Sequence, residues 1–131
     1  MSVYITEVIE TIKQNYPNIK AINKSILDFD FFEQEYDLIL ALNVLSFLNL
    51  DDIKTITENM FKSLKENGLI YLQVFSINEP SENFNHLFTK EEISELFSQN
   101  KILELEEFSI KDNHPPQGEH EHGIIRVLIK K

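Results

Sequence analysis

The spacing of apolar positions changes several times along the chain, and each change marks an element. Ile5, Val8, Ile9, Ile12 and Tyr16 recur at helical spacing and predict an amphipathic helix over residues 6–16. Pro17 ends it, because proline pushes the preceding residue out of the α region. Residues 19–22 are expected to form a short strand and residues 25–32 an irregular acidic and aromatic turn. Residues 36–42 (YDLILAL) are almost continuously apolar. Continuous rather than alternating apolarity predicts a strand covered on both faces, as in a parallel sheet.

Residues 43–50 read as a loop or short helical turn. Asp51 or Asp52 is expected to cap a helix with Ile53, Ile56, Met60 and Leu64 on its core face, and Gly68 to terminate it. Residues 69–75 (LIYLQVF) form a second apolar strand, which completes a right-handed βαβ unit. After a polar loop over residues 76–88, Thr89 and Glu92 have the spacing of a capping box, opening a helix with Ile93, Leu96 and Phe97 inside. Residues 102–110 and 124–129 read as two further strands. The turn-rich segment DNHPPQGEHEHG between them predicts a long-looped antiparallel hairpin. The expected fold is α/β: a mostly parallel sheet with a C-terminal antiparallel hairpin strand and helices on both faces. No repeat or linker divides the chain, so one domain is expected over residues 1–131.

Composition narrows the function. Twelve Lys and Arg against 22 Asp and Glu give a net charge of -10, which repels a nucleic-acid backbone. No apolar stretch approaches the roughly 18 residues of a membrane span. Cysteine is absent, which excludes disulfides, thiol nucleophiles and Cys-zinc sites and fits a cytoplasmic location. Glycine numbers three, at Gly68, Gly118 and Gly123, and none lies in the first 67 residues. Neither a GxGxxG loop nor a P-loop is encoded in the chain.

Three strings carry a family resemblance. They are YDLILALNVLSFL (residues 36–48), LKENGLIYL (residues 64–72) and the terminal hairpin. The first is similar to a fourth strand and its following turn, and the second to an "LKPGG" approach to a fifth. The chain resembles the C-terminal two-thirds of class I S-adenosylmethionine-dependent methyltransferases of the tellurite-resistance type. The resemblance implies a shortened Rossmann-like sheet, strand order 3-2-1-4-5-7-6 in the family, and S-adenosylmethionine as cofactor. It also implies that the glycine-rich cofactor loop of the family has no counterpart in this chain, so that the domain is a truncated one. Without the first two strands, residues 19–22 would pair with residues 36–42, swap into another subunit, or stay unpaired. The bare edge of YDLILAL is then expected to drive formation of a homo-oligomer.

Ligands of an open parallel sheet bind beyond the carboxyl ends of its strands. That rule selects Ala41, Leu42 and Asn43 as cofactor-binding positions, with Phe47 and Phe75 as pocket lining or plain core. By resemblance, Ser25, Ile26 and Asp28 would lie near adenine and Asn43 near the transferred methyl. The hairpin concentrates His114, His120 and His122, with Glu119 and Glu121 alternating with the last two, at the same expected edge. These histidines and Asn43 are the candidate catalytic residues, the histidines approaching the methyl acceptor. Their H-x5-H-x-H spacing matches no specific zinc signature, so no metal ligands are assigned. His86 stands alone in its loop, and Arg126 is expected to pair with Glu104 or Glu106.

The expected function is methyl transfer to a small molecule or oxyanion, without nucleic-acid or membrane partners. Displacement at a sulfonium methyl needs aim and exclusion of water more than a strong acid or base. Two alternatives stand beside it. One is an inactive methyltransferase relative that serves as a subunit or binding module. The other is a metal-binding histidine hairpin on the same scaffold.

Overall fold

The computed structural model describes residues 3–116 and 118–131, with side chains from residue 6 onward. The chain divides into two compact units, residues 1–30 and 31–131. The first contains helix α1 (Val3–Asn15) and a single 3-10 turn at Ile26–Asp28. Helix α1 ends one residue before Tyr16, as Pro17 requires. The Ser25 hydroxyl accepts the Leu27 N–H at 3.2 Å and starts the 3-10 turn. Residues 19–22 do not form the expected strand. A strand exists only where a neighbour takes its backbone hydrogen bonds, and no described segment pairs with this one. No described residue between 6 and 30 is buried, and Tyr16, Ile19 and Leu27 are each at least half exposed.

The second unit is a four-stranded sheet in the order β1-β2-β4-β3. Its strands are β1 (Tyr36–Leu42), β2 (Leu64–Phe75), β3 (Lys101–His114) and β4 (Gly118–Lys130). Strands β1 and β2 are parallel. Strand β4 runs antiparallel to both β2 and β3 and lies between them. Thus β3 points the same way as β1 and β2, as the α/β expectation required.

Helices α2 (Leu50–Ser63) and α3 (Lys90–Leu96) supply the cover for one face of this sheet. Ile53, Ile56 and Met60 of α2, with Ile93 and the following Phe97, are buried. So are Ile70, Leu72 and Val74 of β2 and Ile125, Val127 and Ile129 of β4, which are cross-strand partners. Phe61 and Phe97 meet edge to face at 5.5 Å and join the two helices. Each such aliphatic side chain stabilises the fold by about 1.5–3 kcal/mol on burial. The opposite face is not covered along β1: Leu38, Leu40 and Leu42 are 50%, 61% and 51% exposed. The expectation of a β1 strand buried on both faces is therefore corrected within this unit. A continuous apolar run reports that both faces are apolar, not that both are occupied.

Three boundaries also differ from expectation. The cap of α2 is Asn49, whose side-chain oxygen accepts the Asp52 N–H at 2.9 Å, rather than Asp51 or Asp52. The helix ends at Ser63, and Leu64 passes directly into extended backbone, so Gly68 lies inside β2. A Cβ at Gly68 would stand 2.8 Å from the Lys65 carbonyl oxygen, and glycine permits that close approach. The hairpin loop is short rather than long: β3 reaches His114 and β4 starts at Gly118. The strand ladder continues through polar residues because backbone pairing, not apolarity, sustains it.

Thr89 caps α3 as its capping-box spacing predicts, accepting the Glu92 N–H at 3.0 Å. Tyr36, at the end of β1 away from the carboxyl edge, has its phenol pushed above the ordinary tyrosine pKa by burial and then by the Glu35 carboxylate. Among the described residues, no helix is long and apolar enough to cross a membrane.

The cap assignment is testable by urea denaturation. Asn49→Ala is expected to cost about 1 kcal/mol of stability. Asp51→Ala, which loses only a favourable charge in the first helical turn, should cost roughly 0.3–0.5 kcal/mol.

Candidate functional site

The carboxyl ends of β1 and β2 open toward the same edge as the hairpin tip. Leu42 pairs with Gln73, and Phe75 pairs with Ile124 of β4. Beyond Ile124 the ladder continues as a two-stranded ribbon of β3 and β4. Of the residues expected at a cofactor site, Ala41 is buried, whereas Leu42 is half exposed and Asn43 follows it at the strand end. Ser25, Ile26 and Asp28 belong to the first compact unit, and the Ser25 hydroxyl serves its own backbone.

Asn43 is both a turn residue and a polar contact. Its backbone is left-handed, with φ of 63°, and its N–H donates to the Gln73 carbonyl at 2.8 Å. Its side-chain oxygen accepts the Gln73 amide at 3.1 Å. The Gln73 side-chain oxygen in turn accepts Arg126 Nε–H at 3.0 Å. The Arg126 guanidinium lies 4.6 Å from the Phe108 ring centroid, a cation–π contact. Arg126 thus engages Gln73 and Phe108 rather than the expected Glu104 or Glu106, and a polar chain crosses β1, β2 and β4.

An aromatic row borders this chain. Phe47 meets Phe84 edge to face at 5.2 Å. Phe84 stacks on Phe75 at 4.0 Å, and the Phe75 ring is 5.6 Å from His122. Phe47 is half exposed and Phe75 is buried, so one is available to a ligand and the other is core. The loop that carries Phe84 is tied down by Ser46, whose carbonyl accepts the Asn85 and His86 N–H groups. The Ser46 hydroxyl accepts the Phe75 N–H at 3.0 Å. A separate groove of about 610 Å³ between α2 and α3 contains none of the expected site residues.

The three hairpin histidines come together, and two residues that sequence reasoning missed complete the group. Strand register sets Asp112 opposite His120, Ile110 opposite His122 and His114 opposite Gly118. Because side chains alternate with period two, Asp112, His114, His120 and His122 occupy one face of the ribbon. Their nearest polar atoms all lie within 4.8 Å of one another. His120 Nε2 is 2.9 Å from His122 Nε2, and His114 Nε2 is 3.3 Å from Asp112 Oδ2. His122 Nε2 is 3.9 Å from Asp112 Oδ2.

The second missed residue is Glu79. Its side chain is 1% exposed. Its carboxylate accepts His122 Nδ1–H at 3.0 and 3.1 Å and the Gly123 N–H at 3.0 Å. Asp112 was legible in principle: it stands as far before Pro116 as His120 stands after it, the spacing that pairs two residues across a hairpin. Glu79 lies 43 residues from His122 and carried no such signal. His86 is outside the group and bonds both Glu92 oxygens, at 2.8 and 2.9 Å.

The sequence profile of the methyltransferase domain family matches residues 3–68. No curated protein matches in sequence. Solved structures match in fold. TehB from Haemophilus influenzae is 20% identical with a TM-score of 0.72, over 97% of this chain and 46% of TehB. An S-adenosylmethionine-dependent methyltransferase of Methanosarcina mazei is 14% identical with a TM-score of 0.70, over 96% of this chain and 78% of that protein. The 1,6-didemethyltoxoflavin-N1-methyltransferase of Burkholderia thailandensis, solved with 1,6-didemethyltoxoflavin and S-adenosylhomocysteine bound, is 17% identical with a TM-score of 0.67. That match covers 95% of this chain and 56% of the enzyme. The chain therefore spans about half the length of TehB.

Packing against Gly123 yields a further test. A Cβ there would stand 2.6 Å from Ser76 Oγ and 2.7 Å from the Glu79 backbone nitrogen. Gly123→Ala is expected to destabilise the protein by about 1–3 kcal/mol, the usual cost of overpacking, read from the urea midpoint. It should also shift the His122 ring resonances in an NMR spectrum, because the displaced loop carries Glu79.

Proposed function

Because this chain belongs to the methyltransferase domain family, we propose that it is an S-adenosylmethionine-dependent methyltransferase-like protein acting on a small molecule or oxyanion. The observation that carries this reading is the presence of two rows of side chains at the carboxyl edge of β1 and β2. One is the polar chain Asn43–Gln73–Arg126, and the other the aromatic row Phe47–Phe84–Phe75. Ligands of open α/β sheets bind at that edge. An aromatic border excludes water from an approaching acceptor, and a fixed amide orients it.

The donor set fits the acceptor side of such a site. It does not fit the amino-acid end of the cofactor, because no glycine precedes Gly68 to let backbone approach that group. S-adenosylmethionine supplies an electrophilic methyl on a sulfonium, and the residues of this chain hold and orient the acceptor. In this reading Ala41, Leu42 and Asn43 take the methyl side, as the family resemblance implies. His114, His120 and His122 border the acceptor. Residues 1–131 act as one domain in the cytoplasm. Net charge of -10 disfavours a nucleic-acid substrate.

A homo-oligomer belongs to the same reading. Strand β1 is the outer strand of the sheet and carries the exposed Leu38, Leu40 and Leu42. A second copy that pairs along this edge and packs over the uncovered face would bury the three leucines. Light scattering should give a mass above the 15.4 kDa of one chain, and Leu40→Lys should return it to that mass. A monomer at all concentrations would remove the oligomer from this reading.

Calorimetric titration of the 131-residue protein with S-adenosylhomocysteine tests the cofactor. Micromolar binding that weakens at least about tenfold in Asn43→Ala is the expected outcome, equivalent to roughly 1.4 kcal/mol. Absence of heat at millimolar ligand would overturn the enzyme reading. It would leave an inactive relative that serves as a subunit or binding module.

A further inference from the structure

The orientation of the hairpin imidazoles is the basis of the inference. His122 directs Nδ1 at the Glu79 carboxylate, at 3.0 Å. His120 directs Nδ1 at the Gly118 carbonyl, at 2.8 Å. His114 directs Nδ1 at the Pro115 carbonyl, at 3.1 Å. Carbonyls and carboxylates only accept hydrogen bonds, so in each ring the hydrogen belongs on Nδ1. Each neutral ring then presents its Nε2 lone pair.

Those three lone pairs and the Asp112 carboxylate face one another. The His120–His122 pair, at 2.9 Å, brings two lone pairs into direct opposition. The His114–Asp112 pair, at 3.3 Å, opposes a lone pair and an anion. Such an arrangement is repulsive until a cation enters it. Bonds of about 2.0–2.1 Å to a tetrahedral zinc ion place its ligand atoms roughly 3.3 Å apart. The three separations here, 2.9, 3.3 and 3.9 Å, bracket that value.

The surroundings also suit an ion. Metal-bound histidines almost always donate their second nitrogen to a carboxylate or carbonyl, which fixes ring and tautomer. All three rings do so here, and Glu79 is itself held by the Gly123 and Ser81 N–H groups, at 3.0 and 3.3 Å. The ligand set of three imidazoles and one carboxylate favours a late divalent transition ion over calcium or magnesium.

We propose that Asp112, His114, His120 and His122 form a binding site for a divalent transition-metal ion of the zinc class at the tip of the β3–β4 hairpin, with Glu79 as its positioning residue. The ion ties the two strands together beyond the last β2 contact. Through Glu79 it also ties them to the loop that follows β2. Zinc binding is read without S-adenosylmethionine or a methyl acceptor, so this proposal stands or falls apart from the function proposed above, in which the same histidines border the acceptor.

The test is titration of the full chain, freed of metal by chelation and dialysis, with zinc chloride against a chromogenic chelator. One zinc per chain is expected. Cobalt chloride should give the intense visible absorption of a tetrahedral site. His120→Ala and Asp112→Asn should each weaken zinc binding on the order of 100-fold, with circular dichroism confirming that both variants fold. Glu79→Gln should weaken it about 10–100-fold and shift the cobalt bands, as loss of an outer partner does. His86→Ala, which removes a histidine paired elsewhere, should bind zinc as the unaltered chain does. Failure to bind zinc, or equal binding by His120→Ala and His86→Ala, would overturn the proposal. In that case protons shared among the rings relieve the opposed lone pairs.

Discussion

The position of β4 is the constraint on which the rest of the second unit depends. It pairs with β2 on one side and β3 on the other, antiparallel to both. Its Ile125, Val127 and Ile129 put the centre of the core under α2 and α3. Arg126, one position out of phase with them, faces the other way and reaches Gln73. The same strand outruns β2 at its start, so the hairpin stands beyond the carboxyl edge. Core, polar chain and histidine cluster are thus successive turns of one pleat.

Gly123 marks the point where that strand leaves the sheet. Its missing side chain lets the loop after β2 close against the ribbon. Closure delivers Glu79 to His122 and to the backbone of Gly123. A carboxylate 1% exposed is costly unless its oxygens are satisfied, and here three N–H donors meet it. The loop and the hairpin therefore hold each other through these polar contacts.

Much of the fold was legible in local pattern. The βαβ unit followed from the period of residues 36–75, and Thr89 declared its helix by spacing alone. Family membership bears out the resemblance read from residues 36–48 and 64–72. Two kinds of information were not local. The reach of β3 and β4 through DNHPPQGEHEHG rests on cross-strand pairing, which turn-forming residues conceal. The exposure of Leu38, Leu40 and Leu42 depends on what lies over them, and composition is blind to that. Asn43 was found by the rule for strand ends, but its bond to Gln73 came from register. Glu79 entered the histidine group only through the tertiary fold.

The open leucine face has a colloidal consequence. Two copies that approach along β1 feel attraction only at contact, whereas the net charge of -10 repels them at longer range. At physiological ionic strength that repulsion decays over about 8 Å, and at 1 M salt over about 3 Å. Hydrophobic attraction does not fade with added salt. In the proposed self-association along β1, salt therefore thins the barrier of charge and leaves the attraction of the strand beneath unchanged.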